Sequence, residues 1–425
     1  MKPIDTNISK GFEHKICQFG RLEYAMEKRG IDALVITQPL NVFYLSGFIG
    51  IAHKADEPRP YAMIYSRQAP KNPILIVADY YFSSAVTRAG WIEDIRPFRA
   101  VMMPQDLPAT NADIELFLPS ELSRNHWGDQ ARRTYALSYK NALDTALKDL
   151  ALTGKTLAFD DVGLGHRLEL EDNRVLDAYD TLMFARKVKT IEEISFLEDA
   201  TRLNELAIQN TISDWNQHTT WRQLDHIYAG HVHELGGFVR DPGGMVWGHP
   251  RGDDKALVLS TAQDDSLVEE GTHVMFDCHG TLDLYCWDGG KTWIAGGQAE
   301  GFAHTLNIAT QVVAEALISA MKPGVKISEL QAYGRSIYRR SGVPNADDAI
   351  IFFHGLGLSH MDIELNKVDG SPNHDWVLEE GMVVPLHLLY PGGQKERLWL
   401  EEVVVIEHDG GRPLFSWGFD LLTSS

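Results

Sequence analysis

The chain is 425 residues long, 44% apolar, and carries a formal net charge of −20 from 39 basic and 59 acidic residues. That length and apolar share predict two or three folded domains and exclude a disordered chain. The acidic balance excludes nucleic acid or an anionic membrane as the expected partner, because both surfaces are themselves negative.

Only Cys17, Cys278 and Cys286 carry thiols, with no CxxC spacing, so no disulfide framework is expected. The stretch MKPIDTNISKGFEHKIC lacks the apolar run of a signal peptide. Nothing approaches the roughly 20 apolar residues of a membrane helix, so the expected compartment is the cytoplasm. From the N-terminus, residues 17–30 predict an amphipathic helix closed by Gly30. IDALVIT predicts a buried strand, followed by a turn at Gln38 and Pro39. AMIYSR and PILIVA predict further strands, residues 130–150 a helix, and LAFDD a short strand. This alternation predicts an α/β domain of about 180 residues. ARKVKTIEEISFLEDATRLNELAIQNTI then opens a long helix, marked by a capping box of Thr190 and Glu193. The domain boundary falls just before it, dividing the chain into residues 1–187 and 188–425. In the second half, helices at 192–217, 302–321 and 326–341 alternate with apolar strands, and no short-period repeat is present.

Those strands carry the chemistry. Asp277 and Asp288 lie eleven residues apart in VMFDCHGTLDLYCWDGGKTW, where two strands joined by His279, Gly280 and Thr281 read as a hairpin. Side chains alternate faces along a strand, so a suitable register points both carboxylates into one pocket. Two such acids repel and lose hydration; they need a cation, or one keeps its proton. The plainer alternative is a pair of hydrogen-bonded structural acids. His279 shares strand parity with Asp277, although its position reads first as a turn. HGLGLSH sets His354 and His360 six apart around Gly355 and Gly357, and glycines there let a backbone or substrate come close. The alternative is a glycine-rich turn with a satisfied histidine; His360 reads as a pocket donor or acid rather than a ligand. VVPLHLLYP buries His387 among apolar neighbours, where an imidazole needs a hydrogen bond or a metal. Pro385 implies an edge position or a bulge. RLWLEEVVVI reads as a central strand in which Glu401 and Glu402 point opposite ways, so one joins the other candidates and the other needs its own partner. Asp277, Asp288, His354, His387 and Glu401 together form a candidate metal site. Cys278 and Cys286 read as small core residues. No phosphate loop or nucleophile elbow is present.

Seven segments resemble, in order, those of the creatinase/prolidase-type pita-bread metallopeptidase family. They are RLEYAMEKRGIDALVITQPLNVFYLSGF, ARKVKTIEEISFLEDA, FDCHGTLDLYCWDGGKTW, MKPGVKISEL, HGLGLSH, LEEGMVVPLHLLYPGG and LWLEEVVVIEHDG. The resemblance implies an α/β N-terminal domain of the creatinase/prolidase type over residues 1–187 and an α+β pita-bread catalytic domain over 188–425. It implies Asp277 and Asp288 as the metal-binding aspartates, His354 as the metal-binding histidine and Glu401 as the second metal-binding glutamate. His387 stands where the family's peptidases usually have the first glutamate. Three carboxylates and two imidazoles hold two divalent cations less well than the usual set, which opens the option of a mononuclear iron or zinc site. Lys291 replaces the usual arginine, and His360 lies one residue short of the usual second-histidine spacing. His249 and His273 are the candidates for the histidine that usually precedes the first aspartate. The cofactor implied is a divalent metal (Fe, Zn or Mn), one or two per chain.

The implied function is metal-dependent hydrolysis of an amide or peptide-like C–N bond in a small-molecule substrate. His360 or His249 would hold the tetrahedral intermediate or protonate the leaving nitrogen, and Glu401 or Glu402 would take the proton. The alternatives are a lyase of the iron-dependent dimethylsulfoniopropionate type, a creatinase-like amidinohydrolase and a binding protein with a dead site. The resemblance also implies a homodimer.

Overall fold

The computed structural model describes residues 16–50, 61–100, 114–170, 172–239, 246–248, 264–393 and 395–423. It divides into two compact units between Arg186 and Lys187. In the first, Leu22, Ala25 and Met26 bury one stripe of the Phe19–Arg29 helix, and Gly30 at φ 67° closes it with a left-handed cap. The strands are β1 (Ala33–Ile36), β2 (Tyr61–Ser66), β3 (Ile74–Ala78), β4 (Asp94–Phe98), β5 (Thr156–Phe159) and β6 (Arg174–Asp177). They form a mixed sheet in the order β4-β3-β2-β1-β5-β6. β1, β2 and β3 are buried along their whole length, which is why they appear in sequence as unbroken apolar runs.

Two expectations in this unit are corrected. Gln38 and Pro39 make no turn: Pro39 takes the first position of the Pro39–Ser46 helix, where its missing N–H leaves no hydrogen bond unmade. Residues 130–150 do not form one helix. The His126–Thr134 helix ends before Tyr135, and Ser138 starts a new one, Tyr139–Asp149, by accepting from the Asn141 amide.

The second unit begins with the Ile191–Asp214 helix. The Thr190 hydroxyl accepts from the Glu193 amide at 3.2 Å, and the Glu193 carboxylate accepts from the Thr190 amide at 2.9 Å, closing the capping box. This helix packs on Trp221–Glu234, which the sequence reading omitted although Trp221, Leu224, Tyr228 and Val232 recur at helical spacing behind a second capping box. The Gly301–Ala320 and Ile327–Arg340 helices form a second packed pair.

The strands of this unit are β7 (Phe238–Val239), β8 (Val246–Trp247), β9 (His273–Phe276), β10 (Gly280–Leu282), β11 (Tyr285–Trp287), β12 (Gly290–Ile294), β13 (Ile350–Phe353), β14 (Val383–Tyr390), β15 (Leu398–Glu407) and β16 (Gly410–Pro413). The larger sheet runs β13-β14-β15-β12-β9-β8, with β16 also on β15; β11-β10-β7 form a smaller one. Leu386, Leu388, Leu400 and Val404 pack with Leu306, Val313 and Leu317 of the helix pair. The other face carries Leu389 and Trp399, which cluster with Trp247 and Met275. By strand alternation, His387 and Glu401 belong to this second face.

The aspartate hairpin also differs from expectation. The reversal is at Asp283 and Leu284, φ 47° and 76°, between the paired residues Leu282 and Tyr285. Two positive φ values are what a two-residue hairpin turn needs. His279 lies in the link between β9 and β10, so it is not the turn. Pro385 sits in a strand with neighbours on both sides; the β13 ladder stops at the Phe353–Leu386 pair, one residue before the missing N–H.

Thr190→Ala removes one half of the capping box and is expected to cost about 1 kcal/mol. Urea denaturation measures it; an unchanged midpoint at constant slope would show that the cap adds nothing.

Candidate metal centre

Sheet register assembles the site. β14 pairs with β15 so that His387 lies opposite Glu401; β13 sets Phe352 opposite His387; β12 sets Gly290 opposite Glu401. His354 follows the last residue of β13, Asp288 lies between β11 and β12, and Asp277 follows β9. One donor atom from each of Asp288, His354, His387 and Glu401 lies within 4.8 Å of the others, and all four residues are buried. Gly289 and Gly290 permit the close packing: a Cβ at Gly289 would stand 3.0 Å from the Glu401 carbonyl oxygen, and one at Gly290, at φ 144°, 2.5 Å from the Phe276 carbonyl oxygen. The backbone around Asp288 is fixed from the helices. Asn204 Nδ2 donates to the Gly289 carbonyl at 2.9 Å, the Tyr228 hydroxyl donates to Asn204 Oδ1 at 2.7 Å, and Trp287 Nε1 donates to that hydroxyl at 3.1 Å.

His387 shows what the cluster requires. Its Nδ1 is 3.3 Å from the Phe352 carbonyl oxygen, its ring stacks on Phe352 at 3.9 Å, and its Nε2 is 2.8 Å from Glu401 Oε1. Burial, and then the neighbouring His354, drive its pKa well below the usual imidazole range, so the ring is neutral. With the proton on Nδ1 for the carbonyl, the Nε2 lone pair faces a carboxylate oxygen. Two lone pairs at that distance need a proton or a cation between them.

The acids make the same demand. Asp288 Oδ2 is 2.9 Å from His360 Nε2 and 3.3 Å from His354 Nε2, while Oδ1 accepts from the Gly289 amide at 3.0 Å. Burial alone would raise the Asp288 carboxyl, but the two imidazoles outweigh it and hold it well below the usual range. Asp277 and Glu401 go the other way: burial, and then the charge of Asp288, raise both. Both Glu401 oxygens and Asp288 Oδ2 are buried with no hydrogen bond of good geometry among the described residues. Three carboxyls in one dry cluster do not all ionise unless a cation joins them. Two imidazole nitrogens and two carboxylates are a donor set that zinc, iron and manganese accept, so the residues fit a divalent metal.

Four of the five expected ligands are therefore brought together. Asp277 is half-buried beside them, abutting the Glu401 carboxyl and the Trp247 indole. His360 is the exposed neighbour of the cluster, with 41% of its side chain exposed and its ring 4.9 Å from His354 and 5.0 Å from His279. His279 thus approaches the site, as its parity with Asp277 allowed. Glu402 is not brought there. Strand alternation turns it to the opposite face, where its Oε1 accepts from the Leu414 and Phe415 amides at 3.1 and 3.0 Å. It is a structural carboxyl, and its expected catalytic part is withdrawn. His273 is held by the Arg397 carbonyl, 2.7 Å from Nδ1. His249 lies outside the described residues. The aromatic wall of Phe352 and Trp399 beside His387 was missed; its only sequence signal was strand parity with the ligands.

Comparison with known proteins shows the family and the fold. The model of metallopeptidase family M24 matches residues 195–409, and that of the creatinase/prolidase N-terminal domain matches residues 19–167. An uncharacterized peptidase of Staphylococcus aureus is 23% identical over 388 residues, covering 89% of this chain and 93% of its own. Among solved structures, an X-Pro aminopeptidase from Thermotoga maritima superposes with a TM-score of 0.68 at 19% identity, over 96% of this chain and 99% of the other. A prolidase from Pyrococcus horikoshii gives 0.64 at 17% identity, over 95% and 99%. At such identities the likeness to solved structures is one of fold.

Glu402 yields a pH prediction. Burial pushes its pKa from 4.5 up to about 8, against the two amides and Lys291. Between those values the folded chain keeps a proton that the unfolded chain releases. Its contribution is thus complete below pH 4.5 and lost as pH rises through 8. The stability of wild type minus that of Glu402→Gln is expected to fall across this window by an amount on the order of a few kcal/mol. Parallel urea-derived stability curves would refute the buried neutral carboxyl.

Proposed function

The chain belongs to metallopeptidase family M24, and from that premise we propose that it hydrolyses a C–N bond, amide or peptide-like, in a small substrate. The observation that carries the reading is the buried set Asp288, His354, His387 and Glu401, in which both Glu401 oxygens lack a hydrogen bond of good geometry among the described residues. When bound, a divalent cation (Zn, Fe or Mn) supplies Lewis acidity to a carbonyl oxygen and acidifies water. The four donors fit one such ion. Asp277, at the edge of the set, is the carboxyl left to accept the proton of the attacking water. As the water oxygen bonds to the carbonyl carbon and the C–N bond breaks, His360 is placed to hold the oxyanion and to protonate the departing nitrogen. Phe352 and Trp399 keep bulk water from the His387 side and strengthen each charge interaction there.

Xaa-Pro-peptidase-like describes the scaffold; His387 makes the site itself different from the family's usual four-carboxylate pattern. The proposed domains are a creatinase/prolidase-like unit over residues 1–187 and the pita-bread catalytic unit over 188–425, in a cytoplasmic homodimer. Among the described residues no helix is long and apolar enough to cross a membrane. A metal-free amidinohydrolase has no use for this donor set, and likeness to proteins named as peptidases favours hydrolysis over a metal-dependent lyase.

Two variants test the reading. Asp288→Ala is expected to remove the metal, measured by elemental analysis of purified protein, and to lower hydrolysis of Xaa-Pro dipeptides and N-acyl amino acids by more than about 100-fold. Full turnover in that variant, or cleavage of dimethylsulfoniopropionate or creatine in place of the amides, would overturn it. His387→Glu is expected to raise the metal content per chain, since a fourth carboxylate favours a second cation. Unchanged stoichiometry would place His387 outside the ligand set.

A further inference from the structure

The loop from His354 to Asp362 carries one proposed ligand and the exposed imidazole of His360, and it is held by a buried charge pair. Lys189 Nζ is 3.4 Å from Asp362 Oδ2, with the two side chains 0% and 2% exposed. Asp362 closes the loop on itself: its amide donates to the Gly355 carbonyl at 2.9 Å, and its Oδ1 accepts from the Ser359 amide at 3.2 Å. A Cβ at Gly355 or Gly357 would run into Asp362, so the loop can wrap this carboxylate only with glycine at both positions. The Gly357 carbonyl in turn accepts from the Cys286 amide at 2.8 Å, two residues before Asp288.

Lys189 also reaches towards the strand side. Its charge favours the ionised form of Glu193, a buried carboxyl that burial nonetheless pushes up to about 7. Glu193 accepts from the Tyr285 hydroxyl at 3.1 Å, on β11, the strand that leads into Asp288. Lys189 itself is anchored by its own amide, which donates to the Gly381 carbonyl at 2.8 Å. The loop bearing His354 and His360 is thus held by Lys189 through Asp362 and joined through Gly357 to the segment bearing Asp288.

A buried ion pair is a poor device for stability, because apolar residues of similar volume often serve as well. It is a good device for register, because both partners lose heavily if either moves. We infer that Lys189 and Asp362 are positioning residues of the metal centre, setting the spacing of His354 and His360 from Asp288. This rests on the reading of Asp288, His354, His387 and Glu401 as metal ligands.

The test uses cobalt(II) as the probe on the full-length, metal-stripped protein, with affinity and visible absorption as readouts and a thermal melt for folding. Two variants carry it: Asp362→Asn, which deletes the charge and keeps the shape, and the double variant Lys189→Met with Asp362→Leu, which replaces the pair by apolar groups. Both are expected to bind cobalt roughly 10–100-fold more weakly, with a shifted absorption envelope, while the double variant melts no lower than wild type. If the double variant does not fold, Asp362→Asn alone decides. Asp288→Ala is the control. If it binds cobalt as wild type does, the metal-centre reading itself falls. If it loses cobalt while the folded pair variants keep wild-type affinity and spectrum, the positioning inference alone falls.

Discussion

A neutral imidazole and a buried carboxyl face each other across two antiparallel strands, with His387 Nε2 2.8 Å from Glu401 Oε1. Direct opposition in the β14–β15 register makes this contact unavoidable once both side chains take the inner face. Neither partner can relax it: Phe352 stacks on the imidazole, and Gly289 and Gly290 bring the other carboxylate, Asp288, up against Glu401. The surrounding structure supplies the stability that so unfavourable an arrangement consumes. The helix pair Gly301–Ala320 and Ile327–Arg340 buries one set of sheet side chains, and Ile191–Asp214 with Trp221–Glu234 buries another. Each fully buried large apolar side chain contributes about 1.5–3 kcal/mol, which is the scale needed to hold several desolvated acids in place.

The histidine at position 387 changes what that arrangement can hold. A glutamate there would bring a fourth carboxylate; the imidazole brings one less negative charge and one soft nitrogen. Two nitrogens and two oxygens within 4.8 Å of one another suffice to hold a single ion. Asp277, abutting Glu401 at the edge, is then left outside the first set. A carboxyl next to the ion but outside its tightest donors is suited to moving a proton, a task that a ligand performs poorly.

Most of this was legible as residue type and parity. The candidate ligands His354, His387 and Glu401 stand out as polar groups in or beside apolar strands, out of keeping with burial. The long helix at Ile191 was announced by its capping box. What stayed hidden depended on backbone geometry or on a competing local preference. The hairpin reverses at Asp283 and Leu284 rather than at His279, Gly280 and Thr281, because leucine gives no sign that it will adopt φ 76°. Pro39 marks a helix start as readily as a turn. The Trp221–Glu234 helix is rich in histidine and polar residues, which masked its buried stripe. Phe352 and Trp399 could not be told from ordinary core before the register placed them in one row with His387.

Glu401 and Glu402 show how one sheet separates function from support. The two are chemically identical neighbours, both buried at 2% exposure. Alternation sends Glu401 to the ligand face, where no described donor satisfies it and a cation is required. It sends Glu402 to the other face, where the backbone amides of Leu414 and Phe415 satisfy it and Lys291 lies within electrostatic reach. Lys291 donates to the Trp417 and Gly418 carbonyls, so this second acid fastens the segment after β16 to the sheet. A one-residue slip of β15 would exchange these environments, stranding one carboxyl among apolar helices and removing the other from the candidate ligand cluster. The register of β15 is thus enforced from both faces at once, and the geometry of the centre inherits that enforcement.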